Sequence, residues 1–289
     1  MTDLLSAEMR KCFTGLLFWL ISIFVVVMSF SFNAICFISF ISSKKDKKEV
    51  YNDSILYVGL IILPIIAAIF VAIFMGTEFS EGTVRNKIVS GHTKYEIYIC
   101  ELIVCEAAMI LIQYVFFFCI YAFSFLFFGA FHHSFSLMMK LQLLGLFGTV
   151  EMTAVIFMIS MLVMNKSVSI SSCMILAVCL FVVGVIISNK IEAHYSELIV
   201  LDDGLITETQ RATLIAHSYV YGVDTEGLNG GRLLRYEFFY DYLPQCQASR
   251  YIYERSVPYH WQRFAVYDVL TTIVSTFIGA FCFRRSKLK

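Results

Sequence analysis

Charge is what this sequence has least of. Only 15% of its 289 residues are Asp, Glu, Lys or Arg, and the 22 bases cancel the 22 acids. An ordinary soluble domain carries about 25% charged residues. A nucleic-acid partner requires a basic face, and a chain of zero net charge does not supply one. Prolines number three and tryptophans two. No phosphate-binding G-x-x-x-x-G-K-[ST] loop, H-E-x-x-H or G-x-S-x-G occurs. The glycine-rich stretch Gly227 to Arg232 lacks the lysine a phosphate loop needs. His132 and His133 have no third metal ligand beside them. The nine cysteines show no paired metal spacing, and most fall in or beside apolar runs as small fillers. The sequence therefore offers no catalytic residues, no metal ligands and no enzyme.

Apolar residues dominate instead. They make up 59% of the chain, and the mean hydropathy is +0.76. The excess is gathered into uncharged runs. A helix needs about 20 apolar residues to cross about 30 Å of hydrocarbon. Backbone groups in lipid must bond within their own segment, so such runs read as helices. Six spans are expected, near 14–42, 55–76, 107–130, 141–164, 167–188 and 264–283. The fold class is all-α integral membrane. Six spans place both termini on one side. With that side cytoplasmic, ten bases fall inside (Arg10, Lys11, Arg85, Lys87, Lys94, Lys166, Arg284, Arg285, Lys287, Lys289) against five outside (Lys44, Lys45, Lys47, Lys48, Lys140). The positive-inside bias favours that orientation, although the Lys44–Lys48 cluster runs against it. The N-terminus lacks the pattern of a removable signal peptide.

Three segments lie outside the spans. Residues 1–13 repeat Met1, Leu5, Met9 and Phe13 every fourth position, the pattern of an interfacial amphipathic helix. Between spans 2 and 3, residues 78–89 are expected to form a short cytoplasmic helix, with Glu81 and Arg85 paired four apart. Gly91 suits the residue just past its end. Thr93 and Glu96 form a capping box that starts the next helix. Phe79, Val84 and Ile88 would lie exposed beside charges on the 78–89 helix, a surface suited to a docked partner. Residues 189–262 form the third segment, between spans 5 and 6. It is expected to be an extracellular element of short helices, with a net charge of about −4 and nine of the sixteen tyrosines. A capping box at Thr207 and Gln210 starts one helix, and Pro244 and Pro258 mark breaks. Tyrosine pairs an apolar ring with a polar tip, which suits a membrane interface. Residues 263–289 hold the last span and a basic tail.

Ionisable and polar groups at membrane depth are costly and mark function by default. Glu151 stands near the middle of span 4, Gln113 lies in span 3 and Glu106 nearer its inner end, with Glu101 beside it. Asn33 in span 1 is milder. Glu151 reads as a polar point on a translocation path or a proton-sensitive group, or else as an interhelical hydrogen bond to a Ser or Thr.

The run Gly76-Thr-Glu-Phe-Ser-Glu-Gly-Thr-Val-Arg-Asn-Lys87 resembles the E-[FY]-x-x-G-T-x-[RK] signature of type-2 permeases of ATP-binding cassette transporters, where it forms the coupling helix after span 2. Met164-Asn-Lys-Ser167 is similar to that family's short inner turn, Tyr242-Leu-Pro244 to its outer Leu-Pro element, and Phe283–Lys289 to its basic tail, here without the usual acid. The resemblance implies a multi-pass permease in a bacterial cell membrane, with both termini cytoplasmic. Two copies of a cytoplasmic ATPase subunit would bind ATP and Mg, so this chain would hold no cofactor itself. A second permease chain, identical or related, would complete a dimer. Phe79 would be the anchor, Glu78, Glu81 and Arg85 polar contacts, and Gly82 the point of close approach, within a coupling set that also includes Thr83 and Ile88. The expected cargo is amphipathic or hydrophobic, an antimicrobial peptide first. Two alternatives remain: a membrane sensor or scaffold, and an ion-coupled transporter using Glu151.

Overall fold

The computed structural model describes residues 2–42, 55–129, 131, 134–201, 230–254 and 261–286. Lys44–Lys48, His132-His133, the Thr207/Gln210 box, residues 227–229 and Pro258 lie outside them. The described residues are all helix and connecting turn, with no strand. Among them ten helices run in order: α1 (Thr2–Thr14), α2 (Leu16–Ser42), α3 (Ile55–Ser80), α4 (Thr83–Val89), α5 (Lys94–Phe128), α6 (Phe135–Val163), α7 (Lys166–Leu201), α8 (Gly230–Tyr242), α9 (Pro244–Glu254) and α10 (Trp261–Arg285). Six of these are long and apolar enough to cross a membrane: α2, α3, α5, α6, α7 and α10. The chain has the make-up of a multi-pass membrane protein.

The bundle is built around α3, α5 and α6. α6 packs along α10, α3 lies between α6 and α7, and α2 lies on α5. α3 is the most enclosed of the long helices, while α2, α7 and α10 each leave a broad apolar face open. Pro64 sits inside α3, which neighbouring helices tolerate at membrane depth. Aromatic rings join α2 to the far end of α5, with Phe30 and Phe37 against Phe123, Phe127 and Phe128. Close approach elsewhere depends on glycine. A methyl group on Gly59 would stand 1.9 Å from the Phe116 ring, and one on Gly279 would stand 2.0 Å from the Tyr98 hydroxyl.

At one end of the bundle the chain turns twice in a few residues. α3 runs two residues past Glu78, to Ser80. Gly82 then takes a left-handed backbone (φ 70°) and starts the seven-residue α4. The expected single helix over 78–89 is therefore two helices with a break at Gly82. Glu81 falls in that break, so it is not one turn below Arg85 on a common helix. Gly91 (φ 98°) closes α4. The Thr93/Glu96 capping box forms, with the Thr93 amide donating to Glu96 Oε2 at 2.9 Å and the Glu96 amide to Thr93 Oγ1 at 3.2 Å. At the same end, Asn165 Oδ1 accepts from the Ser167 and Val168 amides in the short α6–α7 turn. Lys94 Nζ donates to the Ser286 carbonyl just past α10 at 2.5 Å.

The opposite end departs from expectation in two ways. α7 continues as helix to Leu201, well past 188. The segment after it does not lie wholly outside the bundle. α9 packs against α3, α7 and α6, and residues 243–251 are buried throughout. Its berth is made by small residues. The Pro244 ring meets the Cβ position of Gly148 at 3.1 Å, and Gln245 Cβ meets that of Gly184 at 2.9 Å. Gln247 of α9 finds partners inside, while Gln245 Oε1 is buried without one among the described residues. Arg250 pairs with Asp241 of α8 at 2.7 Å and lies over the Tyr240 and Phe264 rings. Hydrogen-bonding is what makes a polar helix tolerable in such a place.

Candidate functional site

Two buried groups of charge stand out, one at the α4 end of the bundle and one deep within it. The first gathers four helices and the α3–α4 turn around one ammonium. Lys87 of α4 reaches Glu8 of α1 at 2.9 Å, Glu78 of α3 at 2.9 Å and Glu101 of α5. Lys11 of α1 closes on the other oxygen of Glu78. The Thr83 hydroxyl, at the start of α4, donates to Glu78 Oε2 at 2.5 Å. Glu8, Glu78 and Glu101 each bring a carboxylate oxygen to within 4.8 Å of the others. That is the donor set of a hard-cation site, and the lysine side chain takes the cation's place.

Each helix delivers its residue by ordinary spacing. On α1, Leu4, Glu8 and Cys12 recur every fourth residue and form the buried row, with Leu5, Met9 and Phe13 half-buried beside it. The sequence pattern favoured the second row, but the attraction of Glu8 to Lys87 turns the helix. Burial alone would pull the Lys87 ammonium down. The Glu101 carboxylate, then Glu78 and Glu8, outweigh it and hold the group above the usual lysine range. Cys12, against the cluster, has its thiol pushed up to about 12, first by burial and then by the Glu101 and Glu8 charges. It behaves as an inert filler.

The seven residues expected to face a partner divide between this cluster and the surface. Glu78 is 1% exposed and fully engaged by Lys11, Lys87 and Thr83. It is a brace inside the fold, not a surface contact, because two ammoniums claim its carboxylate. Thr83 is tied to the same carboxylate. Val84 is buried, and Phe79 and Ile88 are half-buried against the main core. Gly82 serves the backbone turn, with open space where a side chain would project. Glu81, Arg85, Asn86 and Val89 remain exposed, Val89 to 80%. α4 thus has a fixed face and a free face. Glu8, Lys11 and Lys87 were missed as members of a site. The only signal in the sequence was a set of opposite charges at the ends of separate apolar runs.

The second group lies deep in the bundle. Glu151 of α6 and Asp268 of α10 are 3% and 1% exposed, on two helices that pack along each other. Gln247 of α9 donates its amide to Asp268 Oδ1 at 2.9 Å and to the Asp241 carbonyl at 2.9 Å. The Thr271 hydroxyl, one turn on from Asp268, lies 3.1 Å from the Tyr242 hydroxyl and 2.9 Å from the Tyr267 carbonyl. A water-sized gap nearby is lined by Pro64, Gly148, Thr149, Pro244 and Gln247 among others. Glu151 was legible as a lone acid in span 4 and Asp268 as a lone acid in span 6. Gln113 and Glu106 of α5 do not join this pair. Gln113 is buried, Glu106 is half-buried, and neither side chain finds a partner among the described residues.

A scan against protein-family models matches nothing, and a search of the curated proteins finds no relative.

Proposed function

We propose that the chain is the membrane-spanning permease subunit of an ATP-driven exporter of the ATP-binding cassette class, with ATP hydrolysis in a separate cytoplasmic subunit. One observation carries the reading: α4 is a short helix fastened on one side and free on the other. Its Lys87 is held by acids from α1, α3 and α5, while Arg85, Asn86 and Val89 point away from the bundle. A force applied to that free face passes directly to three helices through a charged joint. A solvated loop held only by its own contacts has no use for such a joint. The sequence resemblance over Gly76–Lys87 falls on the same element.

On this reading the ATPase subunit grips Glu81, Arg85, Asn86 and Val89, and Phe79 and Ile88 stiffen the lever from beneath. The α4 end faces the cytoplasm, with both termini, in a bacterial cell membrane. Two such chains, or this chain and a related one, form the path. The cargo is amphipathic or hydrophobic, in keeping with 28 Phe and 16 Tyr. An antimicrobial peptide is the first candidate.

The test is purification from native membranes with a tag on this chain. An ATPase subunit should co-purify, and Arg85→Glu with Val89→Asp should release it without changing the thermal stability of the permease. If no ATPase accompanies the wild-type chain, the reading fails and a sensor or scaffold becomes the better account. A cysteine placed at Asn86 should be labelled only from the cytoplasmic side.

A further inference from the structure

Depth across the bilayer can be counted along α7 and α10. The run Phe264–Phe283 of α10 holds one charge, Asp268, and at about 1.5 Å per residue it covers about 30 Å of hydrocarbon. Phe264 therefore stands at the boundary remote from α4. The uncharged run of α7 ends at Ser188, which puts Lys190 at the same boundary. Two contacts measure α8 against these marks. Lys190 Nζ donates to the Tyr236 hydroxyl at 3.1 Å and sits 5.2 Å from the centre of its ring. Nearly two turns further along α8, the Tyr242 hydroxyl lies 3.1 Å from Thr271 Oγ1. Thr271 is two turns below Phe264, about 10 Å. Tyr236 to Tyr242 rises about 9 Å as helix, which matches that difference. α8 thus descends steeply, from the boundary at Tyr236 to about a third of the way across at Tyr242.

Phe238 and Phe239 fall between those two levels. α8 packs on α7, α9 and α10, yet these two rings stay 49% and 47% exposed. Phe238 stacks on Tyr242 at 5.8 Å and meets Tyr267 of α10 edge-on at 5.9 Å. The exposed apolar surface continues down α10 through Leu270 and Ile273. What touches an outward ring at this depth is acyl chain, not water. The rim above is positive. Lys190, Arg235 and Arg263 are all exposed. The acids of the neighbourhood turn inward. Asp241 is buried on Arg250 at 2.7 Å, Asp268 is buried, and Glu237 is half-buried. No exposed acid occurs among the described side chains of α8 or in the first turn of α10.

We propose that this edge of α8 binds an anionic phospholipid of the leaflet remote from α4. The acyl chains lie on Phe238, Phe239 and Tyr267, and Lys190, Arg235 and Arg263 take the phosphate. Apolar surface below a cationic rim is the order in which such a lipid presents its own parts. Tyr236 holds Lys190 at the rim through its hydroxyl and its ring. The charge argues against two other occupants. A second copy of this face would set three exposed bases against three. A cationic amphipathic peptide would meet the same repulsion. The inference depends on the spans alone and stands whatever drives the protein. A lipid seated here presses α8 onto α7 and α10, in front of α9. Behind it Cys246 of α9 is fully buried, its sulfur 3.6 Å from the Gly184 carbonyl of α7.

The experiment uses tryptophan fluorescence of the full chain in lipid vesicles. The two native tryptophans, Trp19 and Trp261, are replaced by Phe, and Phe239→Trp supplies the one emitter, with Phe238→Trp as a second position. Lipid brominated on its acyl chains should quench both positions, and aqueous iodide should quench neither. Quenching by iodide alone overturns the proposal, because α8 then stands in water. Quenching by neither also overturns it, because protein then covers the edge. The headgroup is read at low mole fraction in phosphatidylcholine. Brominated phosphatidylglycerol should reach half-maximal quenching at about one-fifth the mole fraction that brominated phosphatidylcholine needs, the effect of one base on an anionic lipid. Arg235→Gln with Arg263→Gln should erase that preference. Lys140→Gln, an exposed base at the same end of the bundle on α6, should keep it. Equal quenching by the two lipids in the parent chain, or loss of the preference in Lys140→Gln, overturns the site. Loss of the preference on adding inorganic phosphate overturns it as well, since the bases would then hold free phosphate and not a lipid.

Discussion

Lys87 and Glu101 meet fourteen positions apart in sequence, one on the short α4 and the other two turns into α5, and both are buried. The contact crosses a turn made by Ser90, Gly91 and His92. Without it α4 would hang from two loops. With it, and with Glu8 and Glu78 on the same ammonium, α4 moves only as the bundle moves.

Removing that ammonium should cost more than any surface change on α4. Lys87→Met leaves Glu8, Glu78 and Glu101 facing one another with Lys11 alone, and Lys11 is half out in solvent. Breaking a buried charge pair on one side typically costs about 3–5 kcal/mol. Thermal unfolding in detergent should show Lys87→Met as a large loss. Arg85→Ala, on the free face two positions earlier, should stay within about 0.5 kcal/mol. Equal stabilities for the two variants would mean that the cluster does not hold α4.

The same joint sets a pH dependence at the alkaline end. The folded chain holds Lys87 above its ordinary value. A group raised on folding adds stability that is fully present below its unfolded pKa, about 10.4 for lysine. That stability is lost as pH rises through the higher folded value. The stability gap between wild type and Lys87→Met should therefore show no narrowing from neutrality to about pH 10 and should narrow only above it. Chemical unfolding across that range is the measurement. A gap that closes near pH 8 would contradict the raised value.

How much of this could be read from residues alone differs by element. The six long helices could be read because length and the absence of charge leave lipid-spanning backbone one solution. The capping box at Thr93 and Glu96 could be read because both partners lie within one turn. The break at Gly82 could not. A glycine between Glu81 and Thr83 is compatible with a helix running through it, and only the anchoring of Glu78 on α3 and Lys87 on α4 requires a corner there. The burial of α9 was the furthest from view. Pro244 to Arg250 has the composition of an exposed segment, and its berth is cut by Gly148 and Gly184 on two other helices. Glu151 and Asp268 were each visible as a lone acid.

The berth of α9 should be sensitive to one added methyl group. At Gly184 a Cβ would come within 2.9 Å of Gln245 Cβ, which is tighter than side chains pack. Gly184→Ala should push α9 outward, with an overpacking cost of about 1–3 kcal/mol. Alkylation of Cys246 should speed up in the variant. Gly15→Ala, beside the α1–α2 turn, serves as a remote control. Unchanged protection of Cys246 in Gly184→Ala would show that α7 yields in place of α9.

Gly82 separates conformational cost from steric cost. Its backbone is left-handed, and no atom lies within 4 Å of where a side chain would begin. Gly82→Ala therefore meets no clash and carries only the backbone penalty, about 1–2 kcal/mol for an L-residue in that region. Gly82→Asn should recover part of it, because asparagine tolerates the left-handed region by local hydrogen bonding. The order of stability should be wild type, then Asn, then Ala, read by thermal unfolding. The alternative, that Gly82 is glycine so that another surface can approach closely, predicts a different result. Alanine and asparagine would then leave stability nearly unchanged, and both would impair any partner that docks on α4, asparagine more severely because it is larger. The two explanations thus rank the same variants in opposite order, and a single pair of substitutions decides between them.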